Sequence, residues 1–305
     1  LTLRKYILHQ NPNIIQSWMY HSNFLTLFIS KKLYDRIFWN IRHSELNLKI
    51  SKRTTIFLSL ICGLFSRIIP KKIIYCSEKS IQFHQKKHLY CKNKTALIYN
   101  GYEYKNYISS KKILENFRKK YKIQSKEIIL GYAGRYAKQK NIPSLLSAFS
   151  NVIKKYKNIY LFMAGKDINQ SNKELFKILK KLDIDKKVIL LNEQKNLLEF
   201  YNGIDLLLLP SLSESFPNVV PESMLCSTPV LSSDAGCSKK IINNCGFVMN
   251  KNSTDSIFKN LNRIIKLQRY NKSYWKALKK KTRLQIINNF SIAKMSKEYL
   301  QKWTF

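Results

Sequence analysis

Glycine and proline are scarce in this chain, with 8 and 7 in 305 residues. No GxGxxG fingerprint and no P-loop can be assembled from them; Gly131-x-x-Gly134 is the nearest approach. A G-x-S-x-G elbow is also missing. Classical dinucleotide chemistry and serine hydrolysis of that type therefore have no signature. The six cysteines (Cys62, Cys76, Cys91, Cys226, Cys237 and Cys245) form no CxxC pair and no Cys/His cluster. A zinc site is unsupported, no metal is expected, and thiols set in apolar runs point to a reducing compartment. No apolar run approaches the ~20 residues of a membrane span. The best, Ile56 to Phe65, is soon followed by Arg67. The N-terminus has no signal-peptide layout.

Acidic residues are scarce as well: 18 Asp and Glu stand against 55 Lys and Arg, a net charge of +37. Such an excess attracts anionic partners, whether a membrane surface, a phosphorylated substrate or nucleic acid. It is mostly lysine, spread along the chain among Asn, Ile and Tyr, as in an AT-rich coding sequence, so solvated helix faces compete with any binding role. Arginine is sparse and no RNA or DNA motif is present. No nucleic-acid partner is expected, and a basic nucleic-acid-binding protein stays as the weaker alternative.

What is there is an alternation of strand and helix patterns. Strands are read at Asn13–Trp18, Arg36–Ile41, Lys72–Tyr75 and Ala96–Ile98. Helical spacing joins Phe24, Leu25, Phe28, Ile29 and Leu33, and again covers Thr54–Ser66. A polar break, residues 100–111, reads as a linker. Beyond it, strands at 128–133, 159–164, 188–191, 205–209, 229–231 and 246–249 alternate with helices, and residues 253–303 are helical and basic. The rhythm predicts parallel α/β sheets: a first domain over 1–99 and a doubly wound, Rossmann-like one over 112–305.

The chain is organised around LLLLPSLSESFPNVVPE, residues 206–222. Four leucines make a strand buried on both faces. A polar loop and then Phe216 and Pro217 lead into a helix. Glu214 and Glu222 bracket the loop and first turn, and the amides of Asn218 and Val219 at the helix start offer an anion seat. In GRYAKQKN, Arg135 and Lys140 lie five apart in a loop after the strand ending at Ala133. Both can reach one diphosphate, although two exposed surface cations would look the same in so basic a chain. Among five histidines, His43 ends a strand at a sheet's ligand edge, while His21, in SWMYHS, lies just past the strand read to Trp18.

The stretch resembles the E-x7-E signature of retaining glycosyltransferases of family 4, with Glu214 and Glu222 as its ends. PSLSESFPNVVPESMLCSTPVLSSDAG carries the likeness almost throughout, with Ser215 and Ser227 where glycine is usual. GRYAKQK resembles the family's G-R-x4-K element, and NGYE at Asn100 its NG-x-D turn, with Glu103 in the aspartate's place. The resemblance implies a GT-B fold: two Rossmann-like doubly wound domains facing a cleft, the terminal helices crossing back to the first. It implies a nucleotide-diphosphate sugar as donor, UDP-linked, with no other cofactor, and a glycan or lipid-linked glycan acceptor in cell-surface polysaccharide synthesis. It places Arg135, Lys140, Ser215, Phe216, Asn218, Val219 and Glu222 at the donor, and His43 and Glu214 at the transferred sugar. Asp234 and Gly236 resemble the loop after the next strand. A cytoplasmic protein, peripheral at an anionic inner membrane face, is expected. The chain starts at Leu1 in mid-pattern, and fewer residues precede the linker than the ~150 of a typical doubly wound domain. An incomplete N-terminal domain is expected, and with it the alternative of a truncated homologue that binds nucleotide-sugar without transferring.

Overall fold

The structure, a computed structural model, describes residues 2–46, 48 and 51–304. Its contacts resolve two compact units. The first comprises Leu1–Gly101, Ser213–Phe216 and Ile292–Phe305; the second comprises Tyr102–Leu212 and Pro217–Ser291.

The first unit opens with α1 (Thr2–Gln10), β1 (Ile15–Trp18), α2 (Met19–Leu25), β2 (Ile37–Ile41), α3 (Arg53–Phe65), β3 (Lys72–Tyr75), α4 (Glu78–Lys87) and β4 (Thr95–Leu97). The strands are parallel and lie in chain order, β1-β2-β3-β4, with no reversal. IFWNI in β2 is buried at every position, as a strand covered on both faces must be. One face packs Trp39, Ile73 and Tyr75 against Tyr20, Cys62 and Tyr90.

The helix read through Phe24–Leu33 is shorter and earlier than its spacing suggests. It stops at Leu25 and gives way to 3-10 turns at Thr26–Phe28 and Lys31–Arg36. The cause is Thr26. Its hydroxyl donates to the Asn23 carbonyl (2.6 Å) and accepts from the Trp39 indole N–H (2.9 Å). A side chain bonded to its own backbone in this way competes with further α-helix.

The second unit runs α5 (Lys111–Lys120), β5 (Ile128–Ala133), α6 (Ile142–Lys155), β6 (Ile159–Ala164), α7 (Lys173–Lys181), β7 (Val188–Leu190), α8 (Leu198–Gly203), β8 (Leu206–Leu209), α9 (Val219–Leu225), β9 (Val230–Ser233), α10 (Ser238–Ile242), β10 (Phe247–Met249), α11 (Thr254–Tyr270) and α12 (Lys272–Asn289). Its six parallel strands are ordered β10-β9-β8-β5-β6-β7. The winding goes outward from β5 through β6 and β7, then returns to β8 and continues the other way. The strand order therefore reverses between β5 and β8, which is where ligands of doubly wound sheets sit, outside the carboxyl ends. The last helix, α13 (Ile292–Trp303), belongs to the first unit. There Tyr299, Met295 and Trp303 close the second sheet face over Phe38, Ile74, Ala96 and Ile98.

Candidate active site

In the second unit the carboxyl ends of β5 and β8 are tied together. The Leu212 amide donates to the Gln139 carbonyl (2.7 Å), and Asn141 Nδ2 donates to the carbonyls of Pro210 (3.2 Å) and Asn252 (2.7 Å). Ser233 Oγ donates to the Ser211 carbonyl at 2.6 Å. The loop carrying Arg135 and Lys140 is thus fixed beside the loop that leads to α9. Gly165, at φ +144°, lets the end of β6 pass the Gly134 carbonyl; a β-carbon there would stand 2.2 Å from that oxygen. Arg135 is exposed and Lys140 half-buried. Lys140 Cε lies 3.7 Å from where a β-carbon on Gly134 would be, so its stem folds back over the turn that bears Arg135. Both cations therefore rise from one turn.

Asn218 is already helical, with φ −55° and ψ −34°, and its side chain makes no cap. Its Oδ1 accepts instead from the Tyr102 hydroxyl at 2.6 Å. Pro221 sits in the first turn, where a missing N–H costs no helical bond.

Glu222 is held by two phenols. Tyr201 donates its hydroxyl to Oε2 at 2.7 Å, and Tyr107 also bonds the carboxylate. Burial pushes the Glu222 carboxyl up, while the two phenols pull it back. Burial first, and the Glu222 charge next, raise Tyr201 well above the usual phenol range and Tyr107 to about 12. Both phenols thus stay protonated as donors. Arg283 on α12 holds the arrangement, donating to the carbonyls of Tyr107 and Leu225. Thr228 Oγ1 anchors the Tyr201 carbonyl at 2.6 Å. A carboxylate has about four acceptor sites, so two tyrosines leave room for a hydroxylated ligand.

Tyr107, Tyr201 and Arg283 escaped the sequence reading. Tyr107 lies in the stretch read as a linker, and Tyr201 has the look of a core aromatic on α8. The one signal was a glutamate in a half-buried first turn, which needs donors nearby.

The first unit holds the other expected residues. His43 is exposed, two residues past β2. Ser80 Oγ donates to its carbonyl, and its ring lies tilted against Tyr20 at 5.8 Å between centroids. Behind it, His84 is wholly buried. The Ser80 carbonyl can only accept, so His84 Nδ1 donates to it (2.7 Å) and Nε2 accepts from the Tyr20 hydroxyl (2.7 Å). His21 is exposed on α2.

Glu214 is half-buried in the Ser213–Phe216 segment. The neighbouring side chains are committed to packing within the first unit: Ser215 Oγ bonds Cys76 Sγ (3.1 Å) and Ser77 Oγ (3.4 Å), and Phe216 lies 6.2 Å from the Tyr99 ring. Among the described residues no group of three or more metal-type side chains converges. Asp183 and Asp185, an acidic pair in sequence, flank the turn after α7, where Asp185 is bound to Lys180 at 2.6 Å. An apolar hollow of about 800 Å³ in the first unit, lined by Leu3, Leu25, Phe28 and Tyr34 among others, holds none of the expected residues.

The model of the glycosyl transferases group 1 family matches residues 114–283, more than half of the chain. The chain belongs to this family. An uncharacterised glycosyltransferase of Methanocaldococcus jannaschii is 32% identical over 160 residues, 52% of this chain and 37% of that protein. The N-acetylgalactosamine-N,N'-diacetylbacillosaminyl-diphospho-undecaprenol 4-alpha-N-acetylgalactosaminyltransferase of Campylobacter jejuni is 26% identical over 210 residues, 68% of this chain and 53% of that protein. The matched stretches thus span about half, or less, of these relatives' lengths. Anabaena HepE, solved in complex with UDP, superposes with a TM-score of 0.82 at 16% identity, over 99% of this chain and 82% of that one. The fold is accordingly that of the GT-B glycosyltransferases, and among the described residues no helix is long and apolar enough to cross a membrane.

Proposed function

We propose that this group 1 glycosyl transferase moves a hexosyl unit from a UDP-linked sugar to a glycan or lipid-linked glycan, with retention at the anomeric carbon, in the assembly of a cell-surface polysaccharide. The carrying observation is the Glu222 carboxylate, fixed by Tyr201 and Tyr107 in the unit that also bears Arg135 and Lys140. An ionised carboxylate held in one orientation accepts from both hydroxyls of a ribose without reorganising. Arg135 as a planar fork and Lys140 as a point charge take the diphosphate, together with the amides of Asn218 and Val219. As the glycosidic bond breaks, negative charge grows on the departing diphosphate, and fixed positive groups there lower the barrier. Glu214 and His43 act on the sugar, His43 by hydrogen bonding or moving a proton near neutral pH. The Campylobacter jejuni relative, named for a diphospho-undecaprenol-linked substrate, supports a lipid-linked acceptor and with it work at the inner face of a membrane.

The test is UDP binding by calorimetry. Charged hydrogen bonds are worth about 1.5–3 kcal/mol, so Glu222→Ala is expected to weaken UDP about 10- to 100-fold or abolish its binding. Unchanged affinity would remove the donor assignment.

A further inference from the structure

In the first unit, three of the four strands bring a side chain to one spot at their carboxyl ends. Trp18 is the last residue of β1, Arg42 stands just past β2, and Asn100 lies three residues past β4. Trp18 and Asn40 are register partners. Side chains alternate along a strand, so Trp18, Asn40 and Arg42 share the side of the sheet on which Tyr299 of α13 packs. Arg42 is half-buried and held from three directions. Its guanidinium carbon lies 4.9 Å from the centroid of the Trp18 ring, Nη1 donates to Asn100 Oδ1, and Nη2 donates to the Tyr299 hydroxyl at 2.6 Å. That hydroxyl is fixed in turn by Asn40 Nδ2 at 2.6 Å. Every one of these partners is neutral. Arg118, comparably enclosed in the second unit, has the Asp205 carboxylate at 2.9 Å. Arg42 has no such counter-charge, and its Nε is shut off from solvent with no acceptor. A guanidinium carries five N–H donors, so each Nη keeps one for a ligand. Beside it, Trp18 stays 49% exposed. The cation occupies part of the indole and leaves the rest open at the ligand edge of a parallel sheet.

We propose that Trp18 and Arg42 form an acceptor subsite, in which a sugar ring lies on the open part of the indole and the guanidinium takes a phosphate attached to that sugar. The protein thereby selects a glycosyl diphosphate over a neutral glycan. An indole offers a broad apolar surface with a negative face, which suits the C–H side of a pyranose. The charge sits within one ring's width of that surface, where a phosphate on the stacked sugar falls. Because Arg42 is pre-positioned by Asn100, Tyr299 and Trp18, little ordering is left to do when the anion binds. Its half-burial strengthens each charge-assisted bond. Arg42 determines specificity and touches no reacting atom. The inference rests on the proposed function for the acceptor, and it adds the residues that read that acceptor's charge. The donor's diphosphate has its own cations, Arg135 and Lys140 in the second unit, so the two anions can be told apart by experiment.

The experiment is calorimetric titration of the full chain, saturated with UDP, with N-acetylglucosaminyl methyl diphosphate and with methyl N-acetylglucosaminide. The ratio of the two affinities is the readout, since a merely structural Arg42 moves both together. The diphosphate is expected to bind ~10- to 100-fold more tightly. Arg42→Gln is expected to bring the two affinities together, and Arg42→Lys, which keeps the charge and loses the planar fork, to lower the ratio in part. Should Arg42→Gln not fold, Arg42→Lys decides, and an unchanged ratio in it counts against the subsite. Trp18→Ala is expected to weaken both ligands, by ~10-fold. Arg36→Gln removes another cation of the same unit, one bonded to Asn11 and Pro12, and is expected to keep the parent's ratio. The proposal is overturned if the parent binds the diphosphate no better than the plain glycoside, if Arg42→Gln keeps the preference, if Arg36→Gln loses as much, or if methyl glucuronide, whose anion is a carboxylate, binds as well as the diphosphate. A chain that binds no UDP faults the proposed function; one that binds UDP and shows no preference faults this inference alone.

Discussion

Ser227 sits at φ +60°, in the left-handed region, in the turn that leaves α9 for β9. A β-carbon there costs roughly 1–2 kcal/mol. The strain explains why glycine is usual at this place in the motif, and why serine reads as a departure. Ser227→Gly relieves it and gives back part through a looser unfolded chain, so a net gain of about 0.5–1 kcal/mol is expected in urea unfolding; a loss would mean that the hydroxyl matters more than the backbone. Ser215 is different: its φ is not positive, and its hydroxyl is bonded to Cys76 and Ser77. Glu222 carries a pH prediction. Burial raises its carboxyl above the ordinary glutamate range, and the proposed ribose contact needs the ionised form. UDP affinity is therefore expected to fall on acidification at a higher pH than for an ordinary glutamate. In Glu222→Gln, which cannot titrate, that step should vanish from calorimetric titrations; if it persists, another group is responsible. At this scale the spacing of two glutamates was legible in the sequence. Tyr107 and Tyr201 were not, because their approach to Glu222 depends on how α8, α9 and residue 107 are assembled.

Strands were the most legible elements. Uninterrupted apolar runs such as IILGYA and IYLFMA leave no helical alternative of that length, and both strands begin and end where the runs do. α2 was misjudged because a single hydroxyl, that of Thr26, outweighed the apolar spacing beyond it. α4 gave no signal, since EKSIQFHQKK has more charge than pattern. Its buried member, His84, sets a stability term of its own. Burial lowers the ring to about 3 from an ordinary 6.5, so the folded protein keeps it neutral where the unfolded chain takes up a proton. The unfolded state therefore binds more protons between those values, and stability falls as pH drops below about 6.5. The slope approaches about 1.4 kcal/mol per pH unit. Urea midpoints measured from pH 7.5 down to 5 are expected to decline, with a shallower decline in His84→Gln; parallel declines in parent and variant would place the acid sensitivity elsewhere.

For the molecule as a whole, the parallel α/β class followed from the alternation of elements, and the likeness of the motifs carried it to GT-B. The grouping of Ser213–Phe216 with the first unit was not legible, because four residues inside a continuous motif carry no mark of which core they join. That grouping separates the expected residues. Arg135, Lys140, Asn218, Val219 and Glu222 lie in the second unit, while Glu214, Ser215, Phe216 and His43 lie in the first. If the donor's nucleotide half is held by the second set alone, UDP without its sugar should protect only that unit's loops. Hydrogen exchange with saturating UDP is expected to slow amides at 134–140 and 218–222, while those of β2 and of residues 42–44 exchange as before. A ligand at 100 times its Kd stabilises what it binds by about 2.7 kcal/mol, which corresponds to about 100-fold slower exchange for amides that open only when UDP has left. Protection centred on His43 in place of Glu222 would mean that the nucleotide is held by the first unit, and the roles given to the two sets of residues would have to be exchanged.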